Sequence, residues 1–401
     1  MTLPRGDIVI VGGGPAGATA AITLSRRAPA LLSRLVVLEK GAYPRDKTCA
    51  GALGRRGERI LEALDASPDV PSVPIDGIAF RTREGQIVAR SERIGRVIRR
   101  IEFDRALVDI ARRRGVRVQE DTRVLAVRED GDGAVVETTR GTIRASVVVG
   151  ADGVGSVVRR SMGLGPGRLR AQALEVDTEP TRDDLDRGLL LFDVSDRTFT
   201  GYAWDFPTIV DGRALVCRGV YWLNTGRGPA DVHGILAARL ASIGLDLARY
   251  AQKRFAERGH APPTVVARGP MLLVGEAAGV DPVTGEGIPQ AIESGEAAGR
   301  FLADGIDTRP VSDWNDLFRR SRLAWDLDLR TRAVRAFYGR TRPEMEAFAL
   351  ACPAAIHLGC QHFAGVPYDR PKLAEVLLLG GLRLAELRLR EMTERQDAHV
   401  R

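Results

Sequence analysis

A glycine pattern near the start of the chain constrains its fold more than any other feature. Gly12, Gly14 and Gly17 form a G-x-G-x-x-G sequence directly after the apolar run 8–11. The first glycine permits a tight turn, the second leaves room for a pyrophosphate, and the third lets a helix pack closely on a strand. The free N–H groups and partial positive charge at the start of that helix attract phosphate. The sequence therefore predicts a dinucleotide-binding β-α-β unit.

A second apolar run and an acidic residue complete this unit. Residues 35–38 predict the second parallel strand, and Glu39 follows it directly. A carboxylate at this position can accept hydrogen bonds from both hydroxyls of an adenosine ribose. Because FAD and NAD proteins share the pattern, it predicts a dinucleotide without selecting between the two cofactors.

Composition sets broad limits on the class of protein. A chain of 401 residues, 44% hydrophobic and 28% charged, is typical of a globular protein with two domains. Its 59 basic and 52 acidic residues are interspersed, so the net charge of +7 does not predict nucleic-acid binding. The cysteines and histidines lack metal-ligand spacing, and we expect no bound metal. Without a signal peptide or an apolar stretch of about 18 residues, we expect a cytoplasmic protein.

Two further strand-to-loop junctions narrow the cofactor. The apolar run 147–149 leads into G-A-D-G at 150–153, and the run 271–274 leads into G-E-A-A-G at 275–279 and G-E-G-I at 285–288. Carboxyl ends of parallel strands meet at one edge of a sheet, so these loops are expected to converge on one ligand. A simple NAD dehydrogenase needs only the first junction.

Together the three motifs resemble those of FAD-dependent oxidoreductases related to the aromatic hydroxylases, over residues 1–305. Two more stretches resemble one branch, the geranylgeranyl reductase family. Residues 44–53 read P-R-D-K-T-C-A-G-A-L, similar to the family's P-R-D-K-x-C-x-G-x-L, and residues 202–207 read Y-A-W-D-F-P, similar to its Y-x-W-x-F-P motif. The resemblance implies FAD as the cofactor and a large apolar substrate cavity.

The chain also departs from the family pattern. Glu276 stands where the family usually has Asp, the loop 279–282 is one residue shorter than in many relatives, and the cysteine loop reads CAGA rather than CGGG. These differences bear on the substrate more than on the cofactor.

The resemblance implies an α/β fold, α+β overall, in which a Rossmann-like FAD-binding domain carries an inserted antiparallel-sheet substrate domain and is followed by a C-terminal helical region. Trp314, Phe318, Trp325, Leu329 and Phe337 are expected to anchor that helical region. The expected limits are 1–75, 95–165 and 265–305 for the FAD-binding domain, 76–94 and 166–264 for the substrate domain, and 306–401 for the helical region.

Site residues follow from the resemblance, position by position. Glu39 would hold the adenosine ribose, Arg100 would lie near the pyrophosphate, and Asp152 would hold nearby donors around FAD. Glu276 would contact the ribityl–pyrophosphate part, and 285–288 would pass under the isoalloxazine. The implied cofactor-binding residues are Gly12, Gly14, Pro15, Ala16, Gly17, Glu39, Lys40, Arg45, Cys49, Ala50, Gly51, Arg100, Val124, Asp152, Gly275, Glu276, Pro282, Gly285, Glu286, Gly287 and Ile288.

Substrate contacts are implied for Tyr202, Trp204 and Phe206, which alternate along one strand. Tyr202 and Trp204 could instead be core aromatics. Cys49 is a candidate proton donor or substrate contact, although a small buried thiol is an equal alternative.

The implied reaction is reduction of a C=C bond in an isoprenoid or other hydrophobic substrate. The alternatives are a flavin-dependent monooxygenase and an electron-transfer flavoprotein that reduces a quinone. No second G-x-G-x-x-G is present, so the reductant is expected to be transiently bound NAD(P)H or an electron-donor protein. The amphipathic stretch 372–388 either closes over the protein body or contacts a membrane surface.

Overall fold

The computed structural model describes residues 8–167, 169–224, 230–262, 264–281, 284–383 and 386. Within these ranges the strands, numbered along the chain, are β1 (Ile8–Val11), β2 (Leu35–Leu38), β3 (Ala52–Gly54), β4 (Ser72–Arg81), β5 (Gln86–Ile98), β6 (Arg117–Gln119), β7 (Val124–Asp130), β8 (Gly133–Thr138), β9 (Gly141–Ala145), β10 (Val147–Gly150), β11 (Arg170–Thr178), β12 (Leu189–Asp193), β13 (Gly201–Val210), β14 (Arg213–Asn224), β15 (Lys253–Arg258), β16 (Ala267–Arg268) and β17 (Met271–Leu273). The helices are α1 (Pro15–Arg27), α2 (Arg55–Ala63), α3 (Arg100–Arg113), α4 (Val157–Ser161), α5 (Val232–Ser242), α6 (Gly275–Ala278), α7 (Ile288–Gly305), α8 (Asp313–Arg320), α9 (Arg322–Phe337), α10 (Arg342–Ala351) and α11 (Pro353–Ala364).

The first sheet has the strand order β16-β17-β10-β1-β2-β6 among the described residues. Its strands are parallel except for the edge strand β16. All residues of β1, β2 and β10 are buried, which explains their unbroken apolar sequences. Helix α1 packs against α3 and α7 over this core. The predicted α/β fold with a Rossmann-like sheet is confirmed.

The second sheet is mainly antiparallel, in the order β15-β11-β14-β13-β12-β4-β5-β3, with β12 and β4 parallel. Side chains alternate between its faces, so Tyr202, Trp204 and Phe206 of β13 share one face. Strands β3, β11 and β15 were not predicted. β15 is an edge strand rich in charged residues, and such a sequence carries little strand signal.

Two local features differ from what the sequence pattern alone indicates. Residues 143–149 could be one strand by pattern but belong to two strands in different sheets: Ala145 of β9 pairs with Ala134, whereas Val147 of β10 pairs with Ile8. The stretch 68–74 contains prolines typical of a linker, but β4 already starts at Ser72 and pairs with β5. Residues 124–145 form a separate small sheet of β7, β8 and β9.

The prediction for the helical region was partly wrong. Trp314 and Phe318 are buried as expected, but Trp325 is 60% exposed and Leu329 is 47% exposed. Helix α9 buries a different face, because its residues Leu323, Leu327 and Thr331 recur every four positions and point to the core. The partly buried Phe337 packs edge-on against Phe80, with ring centroids 6.0 Å apart.

The strands of the second sheet come from residues 52–98 and 170–258, and the exact domain limits stay a prediction. Across the described part of the chain, no single helix combines the length and apolar composition needed to cross a bilayer; α10 and α11 do so only as a pair bent by 85°.

Candidate active site

A cavity of about 490 Å³ lies where the first sheet's parallel strands end, and the second sheet forms its opposite wall. Ligands of doubly wound sheets bind at this edge. Most of the predicted site residues line it: Gly12, Gly14, Pro15, Ala16, Glu39, Lys40, Arg45, Cys49, Ala50, Gly51, Arg100, Val124, Asp152, Tyr202, Phe206, Glu276, Gly285, Glu286, Gly287 and Ile288. Gly17, Gly275 and Trp204 do not line it, and Pro282 lies outside the described residues.

The first glycine loop needs its glycines for two different reasons. Gly12 has a φ of +101°, and a Cβ there would collide with the carbonyl of Ala151. A Cβ on Gly17 would collide with the carbonyl of Gly12, so Gly17 sets the close approach of α1 to β1 without touching the cavity. Gly275 likewise lies against Ala16 and not in the cavity.

Gly14 faces open space bordered by two guanidinium groups. A Cβ there would meet nothing closer than Arg100 Nη2 at 3.8 Å and Arg45 Nη2 at 3.9 Å. Arg100 is held by Asp104 through two hydrogen bonds of 2.7 Å, and Arg45 Nη1 lies 3.2 Å from the same carboxylate. Burial opposes the charge of Arg100, but Asp104 raises its pKa above the ordinary arginine value. This cradle fits a pyrophosphate.

Glu39 is buried beside the same loop. Its Oε2 accepts hydrogen bonds from Gly13 N at 2.9 Å and Arg45 Nη2 at 3.0 Å. Tyr43, which sequence reasoning did not single out, donates from its hydroxyl to the Gly13 carbonyl at 2.6 Å. The carboxylate is therefore fixed next to the phosphate cradle, at the position expected of a ribose ligand.

The two carboxylate oxygens of Asp152 differ in their hydrogen bonding. Oδ2 accepts from Val157 N at 2.6 Å and Val158 N at 3.3 Å, at the start of α4. Oδ1 is buried and has no hydrogen-bond partner among the described residues, and burial raises the pKa of this carboxyl. A buried oxygen without a partner is costly, so a cofactor hydrogen-bond donor would fit here.

Glu276 bridges two elements at the far end of the cavity. Its Oε2 lies 3.4 Å from Lys47 Nζ, and its Oε1 accepts from the backbone N of Arg258 at 3.3 Å. The longer carboxylate thus reaches both the cysteine loop and β15.

The C-terminal helices hold the loop 284–288. The sequence predicted these helices but not their contact with the loop. Arg330 of α9 lies 2.5 Å from Glu286 Oε2 and donates to Thr284 Oγ1 at 2.8 Å. Burial opposes ionisation of Glu286, but the charge of Arg330 holds its pKa well below the ordinary range. Arg330 Nη1 also donates to His362 Nε2 at 2.7 Å, which places the ring proton on Nδ1, 3.0 Å from Tyr368 Oη.

The second sheet contributes an aromatic wall. Tyr202 stacks on Tyr221 with ring centroids 5.2 Å apart, and Phe192 lies 5.3 Å from Tyr202 and 5.2 Å from Phe206. Trp204 shares their face but is buried over the backbone of Gly219, where a side chain would collide with the indole. Trp204 therefore packs beside Tyr202 and Phe206 without lining the cavity, and direct substrate contact by it stays a prediction.

Cys49 lines the cavity and is backed by a buried acid. Its backbone N donates to Glu175 Oε1 at 3.0 Å, and its Sγ accepts from Gly51 N at 3.4 Å. Burial, followed by the charge of Asp177, raises the pKa of Glu175 to about 7. Sequence reasoning missed Glu175 because it missed strand β11.

We expect Glu175 to make stability depend on pH. Since its pKa is raised on folding from 4.5 to about 7, the folded state binds the proton more tightly, and this contribution is lost as pH rises across that window. The expected loss is about 3 kcal/mol. Urea unfolding of the FAD-loaded protein between pH 4.5 and 8 should show it in the wild type and not in Glu175→Gln.

The matched control is Glu92→Gln, because Glu92 is an exposed glutamate. This control should keep the wild-type pH dependence. Parallel curves for the wild type and Glu175→Gln would contradict the assignment.

The sequence of the chain is similar to those of known flavoproteins. Residues 5–187 match the FAD binding domain family. The chain is 30% identical over 331 residues to the digeranylgeranylglycerophospholipid reductase of Methanothrix thermoacetophila, covering 76% of this chain and 79% of the relative. The chain belongs to the geranylgeranyl reductase family. It is an FAD-dependent oxidoreductase, as the sequence predicted.

A second relative and two solved structures are also similar to the chain. The menaquinone reductase of Mycobacterium tuberculosis is 29% identical, over 76% of this chain and 78% of that protein. A geranylgeranyl bacteriochlorophyll reductase-like protein of Thermoplasma acidophilum superposes with a TM-score of 0.76 at 20% identity, over 94% of this chain and 100% of that one. A flavin-dependent brominase reaches a TM-score of 0.70 at 18% identity, over 97% of this chain and 100% of the brominase, which shows a shared fold alone.

Proposed function

We propose that this member of the geranylgeranyl reductase family reduces C=C bonds of an isoprenoid chain. The observation that carries the proposal is the aromatic wall of Phe192, Tyr202 and Phe206, which lines the same cavity as the phosphate cradle of Gly14, Arg45 and Arg100. An apolar polyprenyl chain is the kind of ligand that such a wall binds. The two named relatives, reductases of a geranylgeranyl phospholipid and of menaquinone, support a hydrophobic substrate.

Different residues of the chain would bind the cofactor and position the substrate. Gly14, Arg45 and Arg100 would hold the pyrophosphate, Glu39 the adenosine ribose, and the loop 285–288 would lie against the ring system. Reduced FAD supplies a hydride when bound. The aromatic wall would keep the alkene in register and exclude water from it. The reductant, in this proposal, is NAD(P)H or an electron-donor protein that binds transiently.

A peripheral membrane contact is part of the proposal. Residues 370–383 are helical, and Leu377, Leu378 and Leu382 on this segment are 67%, 64% and 61% exposed. One interpretation of the sequence expected this stretch to close over the protein body. The three leucines are instead exposed. A row of exposed leucines would suit an enzyme that draws its substrate from a lipid surface.

The test is anaerobic reoxidation of the photoreduced enzyme by geranylgeraniol in detergent micelles, followed by mass spectrometry. We expect the oxidised flavin spectrum to return and the product to gain the mass of one dihydrogen per reduced bond. Saturated phytanol-type alcohol in the same micelles is the control and should leave the flavin reduced. If the flavin stays reduced with geranylgeraniol until air enters, and an oxygenated product then forms, the enzyme is a monooxygenase.

A further inference from the structure

Two carboxyl groups that the sequence analysis did not single out lie together in the cavity. Glu257 of β15 and Asp281, in the segment after α6, both line it and are close enough to influence each other's ionisation. Two neighbouring buried carboxylates repel each other, so the pair favours a state in which one of them carries a proton. The pair can therefore hold a proton beside the aromatic wall.

The surroundings decide which carboxyl is protonated. Asp281 accepts hydrogen bonds from the Tyr221 hydroxyl at 2.8 Å and from the backbone N of Thr284 and Gly285 at 3.2 Å each. These three donors stabilise an ionised Asp281. Glu257 Oε2 is buried and receives no hydrogen bond from an N–H or hydroxyl group of the described residues. The proton therefore resides on Glu257.

Electrostatics point the same way. Burial, followed by the charges of Asp281 and Glu276, holds the pKa of Glu257 well above the ordinary range. The titratable groups that face it are Asp281 and Glu276 from the segments after β17, Cys49 from the cysteine loop, and the neutral tyrosines Tyr202 and Tyr221. Among the described residues no cation forms an ion pair with Glu257, so its burial favours the neutral acid.

The position of the pair suits proton transfer to a substrate. Asp281 binds the amides of Thr284 and Gly285, at the loop expected beneath the isoalloxazine. Tyr202 donates to the Thr284 carbonyl at 2.7 Å and stacks on Tyr221, the residue that binds Asp281. The acid thus lies where the cofactor loop meets the aromatic wall.

We propose that Glu257 is the catalytic acid that protonates the substrate, with Asp281 and Tyr221 as positioning residues; this rests on the proposed C=C reduction. One alkene carbon gains the hydride, and the π electron pair forms the second C–H bond with the proton of Glu257. The flavin is oxidised, the alkene is reduced, and Glu257 is left as a carboxylate. It recovers a proton from solvent before the next turnover.

The test compares Glu257→Gln with the wild type in the FAD-loaded, photoreduced enzyme, with geranylgeraniol micelles under anaerobic stopped flow. We expect the reoxidation rate to fall at least 100-fold, the scale of general acid catalysis. FAD affinity and the flavin spectrum should not change. Glu257→Asp, which keeps a carboxylic acid, should recover part of the rate. Arg254→Gln, at an exposed neighbour on β15, should behave as the wild type.

A pH profile separates a chemical role from a structural one. The wild-type rate should fall at high pH as Glu257 ionises, and this alkaline limb should be absent from the residual rate of Glu257→Gln. A glutamine variant that reoxidises within threefold of the wild type, or that keeps the alkaline limb, would overturn the assignment. If the wild type itself is not reoxidised, the proposed C=C reduction fails and the role of Glu257 falls with it.

Discussion

Replacing Gly14 by alanine should weaken FAD binding at least 100-fold, which corresponds to about 3 kcal/mol. The reason is geometric: a Cβ at this position meets nothing closer than 3.8 Å in the protein, so the chain itself tolerates it. The methyl group would instead occupy the space between Arg45 and Arg100 that fits the pyrophosphate. Flavin fluorescence titration of the apoprotein would measure the dissociation constant, and thermal unfolding of the apoprotein should be almost unchanged.

Alanine variants of two other glycines serve as comparisons. Gly359→Ala, on α11 outside the cavity, adds a Cβ that meets nothing within 4 Å and should bind FAD as the wild type does. Gly17→Ala should destabilise the apoprotein itself. Its Cβ collides with the Gly12 carbonyl and would force α1 away from β1. Wild-type FAD affinity in Gly14→Ala would show that the cofactor does not approach this loop.

Arg330→Met should destabilise the FAD-loaded enzyme by about 3–5 kcal/mol at pH 7. Arg330 is the main partner of the buried Glu286 carboxylate, and removing it leaves that charge without compensation. Because Arg330 also holds Thr284, we expect looser FAD binding in the same variant. Urea unfolding would give the change in the free energy of unfolding.

Two companion variants test the cause. Arg332→Met removes an exposed arginine from the same helix and should cost little. The double variant Arg330→Met with Glu286→Gln should recover part of the lost stability, since the uncompensated charge is gone. A single Arg330→Met variant as stable as Arg332→Met would contradict a structural role for this ion pair.

The residues that the sequence assigned to the cofactor lie together at one cavity, for a physical reason. Gly12, Gly14 and Glu39 are positioned by a glycine turn and by the end of one strand, so their spacing along the chain predicts that they lie together. Tyr202 and Phe206 could be placed because they alternate on a strand with a recognisable motif.

The residues that the sequence did not reveal are joined by long-range contacts. Glu257 lies on a charged edge strand with no apolar pattern. Its proposed role as an acid depends on its position beside Asp281, which lies in a different segment. Asp281 lies between the two glycine stretches 275–279 and 285–288. An acidic residue at that place could have been named as a candidate site residue from the sequence. Arg330 and His362 meet Glu286 only through packing of helices, where exposed and buried arginines look alike in sequence. The same limitation explains the wrong expectation for Trp325.

The strand order of the first sheet also imposes an order of assembly on the nascent chain. β1, β2 and β6 can pair soon after residue 119 has been synthesised, but β10 receives its second neighbour only when β17 emerges. Until then the apolar strand Val147–Gly150 is an open edge, available to other chains. Translation that stops before Met271 would therefore yield an aggregation-prone fragment rather than a smaller working nucleotide-binding domain.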